Sequence, residues 1–256
     1  MNFTAIVLAV AAGLFLGTLA MLEIGRYLGR RLVERGGEGT GTGAVEGAIF
    51  ALLGLVIAFT FSGAASRFDS RRELVAQEAN TIGTAWLRID LLPEAAQPAV
   101  RDLFRRYLDA RLAGYRKISS GMLPTAEIEL SQRLQGDIWK ASVAGCRATD
   151  STIPCLLLLP ALNDMIDITT TRAMAARIHP PLVVFLMLGG LAFASSMLAG
   201  YSMGAGKARS RFHLFAFALV IAATVYVIVD LEYPRLGFIR IDSADSVLSD
   251  LRRTMK

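Results

Sequence analysis

From Gly47 to Ala65 the chain runs GAIFALLGLVIAFTFSGAA, nineteen residues without a charge. At 1.5 Å per residue that is long enough to cross a hydrocarbon core of roughly 30 Å. The sequence passes directly into SRFDSRRELVAQEANTIGTAWLRIDLL, where Val75, Ala79, Ile82, Trp86 and Ile89 recur at steps of four and three and mark one apolar stripe. No proline or glycine pair separates the two stretches. The expectation is one long helix that leaves the membrane and becomes the first column of a helical domain.

Composition agrees with a chain divided between lipid and water. Of 256 residues, 54% are hydrophobic, too many for an ordinary soluble domain, while 19% are charged, too many for a bundle lying wholly in lipid. The net charge of +5 comes mostly from arginine and is not organised into an aromatic-basic stripe. Basic flanks on membrane helices account for it, and no nucleic-acid partner is expected. Two cysteines, Cys146 and Cys155, exclude a dense disulfide scaffold and a four-thiolate zinc site.

In chain order, residues 1–22 read as a first span. Its four nearby arginines, Arg26, Arg30, Arg31 and Arg35, follow the apolar run instead of preceding it, so the expectation is an uncleaved span and not a signal peptide. Residues 23–46 make a short basic loop ending in a glycine-rich turn, and 47–65 are the second span. Residues 66–180 form the extramembrane domain. The two prolines of LLPEAAQP mark a corner, after which Val100, Leu103, Phe104, Tyr107, Leu108, Leu112 and Tyr115 give the inner face of a helix that SSGMLPT closes. Thr125 is placed to N-cap a further helix with Ile128, Leu134, Ile138 and Trp139 inward. GCRATDSTIPC reads as a loop and Leu156–Arg177 as the last helix of the domain. Residues 181–203 are the third span, with two prolines suited to its first turn. A short basic loop at 204–211 carries Lys207, Arg209 and Arg211, and 212–229 are the fourth span. The tail, 230–256, reads as an interfacial polar segment whose DSADSVLSDLRR is a short capped helix at the membrane face. The fold class is therefore all-α: an integral membrane protein with four transmembrane helices and a helical domain between the second and third.

Both short loops are rich in Arg and Lys, which by the positive-inside tendency puts the N-terminus, the central domain and the tail outside the cytoplasm. Arg67, Arg71, Arg72, Arg172 and Arg177 lie near membrane ends on the domain side and count the other way. In an extracytoplasmic domain Cys146 and Cys155 sit where a disulfide can form, and two inert thiols are the equal alternative.

Small residues recur at steps of four in the second span (Gly54, Ala58, Ser62) and in the third (Ala192, Ser196, Gly200), a pattern that lets helices approach closely within or between subunits. Leu53, Ile57 and Phe61 form an apolar ladder that either lines a dewetting constriction or faces lipid. At the close of the fourth span Asp230, Glu232 and Arg235 gather in DLEYPRLGFIRID as a gate, a subunit contact or an interfacial anchor. Glu46 and His213 open spans, and no carboxylate lies at mid-membrane, which weighs against a proton-driven motor. No catalytic motif is present, the histidines number two, and Asp164 with Asp167 supply two carboxylates where a calcium site needs six to eight oxygens. Neither enzyme activity nor any cofactor or bound metal is expected.

The run GAIFALLGLVIAFTFSGAASRFDSRRELVAQEANTIGTAWLRIDLLP, then FRRYLDARLAGY and the closing DLEYPRLGFIRID, resemble the bacterial bestrophin-like membrane proteins, and through them, distantly, the bestrophins. The resemblance covers nearly the whole chain. It implies a protein of the bacterial inner (plasma) membrane, self-assembly into a homo-oligomer around a central axis, and conduction of small inorganic ions, with anions preferred. It also implies an apolar neck on the second span, at Leu53, Ile57 and Phe61 by placement. Bestrophins keep their large domain in the cytoplasm, whereas the short-loop charges here favour the other side. The reading from another class is a non-conducting membrane scaffold or sensor whose helical domain binds a partner.

Overall fold

The computed structural model describes residues 3–36, 43–149, 151–205, 211–242 and 245–255. Among them are eight α-helices: α1 (Phe3–Glu34), α2 (Gly43–Arg88), α3 (Gln97–Ser119), α4 (Thr125–Arg147), α5 (Ile153–Arg177), α6 (Leu182–Ala205), α7 (Arg211–Glu232) and α8 (Ser246–Thr254). A 3₁₀ turn, Ile89–Leu91, follows α2. Four helices are long and apolar enough to cross a membrane. The basic loop carrying Lys207 and Arg209, and most of the glycine-rich turn before α2, lie outside the described residues.

The chain divides into two compact units, one of residues 1–66 and 179–233 and the other of residues 67–178 and 234–256; α2 is a single helix of 46 residues with parts in both. In the first unit α1 packs on α6 and α7. The approach of α1 to α6 depends on glycine. A methyl group on Gly25 would overlap the backbone carbonyl of Met197, one on Gly200 the carbonyl of Leu22, and one on Gly204 the carbonyl of Arg26. Lipid tails are as apolar as leucine, so helices in a bilayer associate through close packing, and glycine brings backbones nearest. Leu22, Leu214 and Ala218 fill the small core between α1 and α7, with the Phe15 and Phe215 rings edge to face at 5.3 Å.

The second unit has the larger core. Val75, Ala79, Ile82, Trp86 and Ile89 are all buried in it, as are Val100, Phe104, Tyr107, Leu108, Leu112 and Tyr115 from α3. The proline corner is closed by Gln97 Nε2 donating to the Leu92 carbonyl at 2.8 Å. At the end of α3, Gly121 adopts φ +77° while Gly121 N–H and Met122 N–H bond back to Ile118 and Lys117, a Schellman ending that a residue with a Cβ adopts only under strain. Arg71 of α2 donates from Nε to Ala175 O at 3.0 Å and from Nη2 to Ile178 O at 2.9 Å, satisfying carbonyls at the C-terminus of α5 and opposing its negative dipole end.

Several local expectations are corrected. Helix α1 continues through Arg26, Arg30 and Arg31 to Glu34, twelve residues past the expected end of the first span, and the chain turns at Gly36, which adopts φ +75°. Thr125 is the first helical residue and caps nothing, since Pro124 occupies the preceding position. Ile128 is exposed and leaves the inward face to Leu134 and Ile138. The expected loop from Gly145 to Cys155 is helical at both ends, and only residues 148–152 connect α4 to α5. Pro180 and Pro181 precede α6 instead of forming its first turn. Helix α8 has no side-chain cap and is built into the second unit: Leu248 is buried in the core, and Arg252 holds Asp109 of α3 with two bonds of 2.8 and 3.0 Å.

Candidate functional site

The membrane part of α2 has a covered side and an open side. Leu53, Val56 and Ala64 are packed inside the unit, Leu53 at 3% exposure. Leu52, Leu55 and Phe59, at steps of three and four, are exposed at 47%, 51% and 69%. Beside them runs a second open row, Gly54, Ala58 and Phe61; nothing lies within 4 Å of a methyl placed on Gly54. The ladder Leu53, Ile57, Phe61 is thus split. Leu53 is covered by its own unit, Ile57 is half-buried and Phe61 is exposed at 44%. The two small-residue rows also part company: Ala192, Ser196 and Gly200 of α6 are buried against their own subunit, whereas Gly54, Ala58 and Ser62 of α2 are open.

The membrane unit carries Glu46, Asp230 and Glu232 near helix ends. Glu46 accepts a hydrogen bond from Ser202 Oγ. At the end of α7 Glu232 is buried with its Oε2 3.3 Å from His179 Nδ1. The His179 ring stacks on Tyr233 at 4.6 Å, and Tyr233 in turn meets Phe3 at 4.8 Å. Asp230 is buried too, with Tyr226 Oη donating to its Oδ1 at 3.5 Å. Arg235 belongs to the other unit, where it grips Asp245 with bonds of 2.7 and 2.9 Å.

Inside the helical unit lies a charged cluster that the sequence reading passed over. Glu78 of α2 is fully buried, and its Oε1 accepts from Arg111 Nε at 2.8 Å. Its Oε2 accepts from Tyr115 Oη at 2.7 Å and from Arg172 Nη1. Three guanidiniums, those of Arg172, Arg235 and Arg111, lie over the Tyr115 ring at 4.4, 4.8 and 5.0 Å, a cation–π arrangement. Burial, and then the nearby Arg235 charge, bring Arg172 down to about 10. Burial alone would lower Arg235 as well, but the Asp245 carboxylate outweighs it and the pKa rises. Burial pushes the Tyr115 phenol up. The cluster ties α2, α3, α5 and the segment before α8 together. A signal for it was present: Glu78 falls between Val75 and Ile82 on the apolar stripe, and Arg111 and Arg172 each stand four residues from a buried side chain, Tyr115 and Ile168.

Among the described residues no group of three or more His, Cys, Asp or Glu could hold a metal ion, and Asp164 and Asp167 are exposed on α5. Asp242 is bound by Arg240 Nε at 2.6 Å and by Ser119 Oγ at 2.8 Å. Cys146 is buried in the core at the end of α4, and Cys155, half-buried in the first turn of α5, packs against the same core; both are free thiols.

Four apolar helices carrying a helical domain after the second define a polytopic α-helical membrane protein. A family model described as Bestrophin-like domain matches residues 16–245. The chain belongs to the bestrophin-like family. Its fold is similar to that of a bacterial bestrophin homologue from Klebsiella pneumoniae, solved as point variants: one has a TM-score of 0.70 and 15% identity over 97% of this chain and 96% of the other. A second gives 0.69 and 14% over 95% and 98%. A crystal structure described as a membrane protein gives 0.68 and 15% over 94% and 95%. Comparison with curated protein sequences finds no match.

Proposed function

We propose that the chain assembles as a homo-oligomer around a central axis and forms an anion-preferring pore whose neck is lined by α2. The observation that carries this reading is the open side of α2, where the bulky row Leu52, Leu55 and Phe59 runs beside Gly54 and Ala58. Leu55 and Phe59, one turn apart, suit a constriction that gates by excluding water. Gly54 and Ala58 suit the close approach of a neighbouring copy's helix. Within the expected ladder, the covered Leu53 contributes packing, and the exposed Phe61 borders the neck beside Gly54 and Ala58. Membership in the family and the similar fold of bestrophin homologues support conduction of small inorganic ions. On this reading the protein is a conduit with no catalytic role.

Placement in a bacterial inner membrane follows from the same family. For orientation we keep the central domain outside the cytoplasm, on the strength of Arg26, Arg30, Arg31 and Arg35 at the far end of α1. Asp230 and Glu232, buried at the end of α7, serve here as a contact that holds the mouth of the bundle, and Arg235 as an anchor of the helical unit.

The test is conductance of purified protein in planar bilayers, with reversal potentials under a salt gradient to read anion preference. Phe59→Ala and Leu55→Ala are expected to change the conductance, and Leu53→Ala to change thermal stability with little effect on the current. No current above protein-free bilayers, from a preparation shown to be a ring of several copies, would sink the proposal. A monomeric or dimeric particle would turn attention to a binding partner for the helical unit.

A further inference from the structure

We infer that Cys146 and Cys155 form a reversible redox lock on the α4–α5 hairpin, in which Cys155 reacts first with a disulfide oxidant and Cys146 resolves the adduct. Helix α4 ends at Arg147 and α5 begins at Ile153, so the two cysteines sit in the last and first turns of helices joined by five residues. Helix α4 packs on α5, and Cys155 packs against the core cluster that contains Cys146. A bond between the two sulfurs would tie the facing ends of the hairpin together.

The two sulfurs differ in access. Cys146 belongs to the core and is 4% exposed. Cys155 is half-buried, with Ser151, Thr152 and Ile153 exposed before it, so a small oxidant reaches it from the connector side. Burial first, and then the neighbouring Cys155, push the Cys146 thiol up to about 12, which disfavours it as the initial nucleophile. The thiolate of Cys155 attacks a disulfide R–S–S–R, such as oxidised glutathione; its S–S bond breaks and RS⁻ leaves. Cys146 then gives up its proton and attacks the Cys155 sulfur of the mixed disulfide, expelling a second RS⁻. In sum, two protein thiols are oxidised to one disulfide and R–S–S–R is reduced to two RSH. The closed loop constrains the unfolded hairpin and stabilises the unit.

The experiment equilibrates the full-length protein, in detergent or nanodiscs, with glutathione buffers spanning reducing to oxidising poise, followed by intact-mass and non-reducing peptide analysis and a melting curve. The wild type is expected to lose the mass of two hydrogens, to yield a peptide cross-linked between Cys146 and Cys155, and to melt several degrees higher when oxidised. Cys146→Ser should trap a glutathione adduct on Cys155 that does not resolve, and Cys155→Ser should stay unmodified. A stable glutathione adduct on the wild type, two free thiols at every poise, or first modification at Cys146 would each overturn the inference. The wild-type mass needs no variant to fold, and its outcome is independent of whether the protein conducts.

Discussion

Glu78 is a carboxylate taken wholly out of water and held by Arg111, Arg172 and Tyr115. Breaking a buried pair leaves charge without compensation, so Glu78→Ala is expected to destabilise the helical unit by about 3–5 kcal/mol, read from the melting midpoint in detergent. The Tyr115 phenol, raised by burial, titrates above the ordinary tyrosine value, so an alkaline absorbance titration of the folded protein should show it ionising after its exposed counterparts. The sign is fixed by linkage. The folded state holds this proton more tightly, so the associated stability is complete below about pH 10 and falls as pH rises beyond it. Tyr115→Phe should remove that part of the pH dependence. Such residues were legible only as register. A charge in step with an apolar stripe looks the same in sequence as one on a solvated face until a partner is seen, and Arg111 and Arg172 come from helices 33 and 94 residues away in the chain.

At the scale of elements, periodicity read the helical unit well because its two faces meet different solvents. Val75 to Ile89 and Val100 to Tyr115 declared their inner faces because polar residues occupy the rest. The same logic fails in lipid, where the covered and open sides of a helix are both apolar, and this is why Leu53 was not distinguishable from Leu55. The glycines of α1 and α6 were more informative than hydropathy. Gly25→Val would drive a side chain into the Met197 carbonyl, and a loss of about 3 kcal/mol or more, with polydisperse elution in detergent, is expected. Gly13→Ala, in open space, should be neutral on the same assay. Helix α8 was expected on the membrane face, as amphipathic segments often are. It is instead a core element, so Leu248→Ala should cost about 2–5 kcal/mol as the cavity opens.

For the whole molecule, hydropathy alone conveyed the span count and the domain placement, whereas the proposed assembly would depend on the open side of α2. Ala58→Phe, on the exposed small-residue row of α2, is expected to lower the particle mass measured by native mass spectrometry. Val220→Ala, on an exposed face of α7, should leave it unchanged. The row that sets this expectation belongs to a helix that contains no proline along its 46 residues. At 1.5 Å per residue it is roughly 70 Å long, more than twice the roughly 30 Å of a hydrocarbon core, so an apolar stretch and a charged one share a single unbroken run of backbone hydrogen bonds.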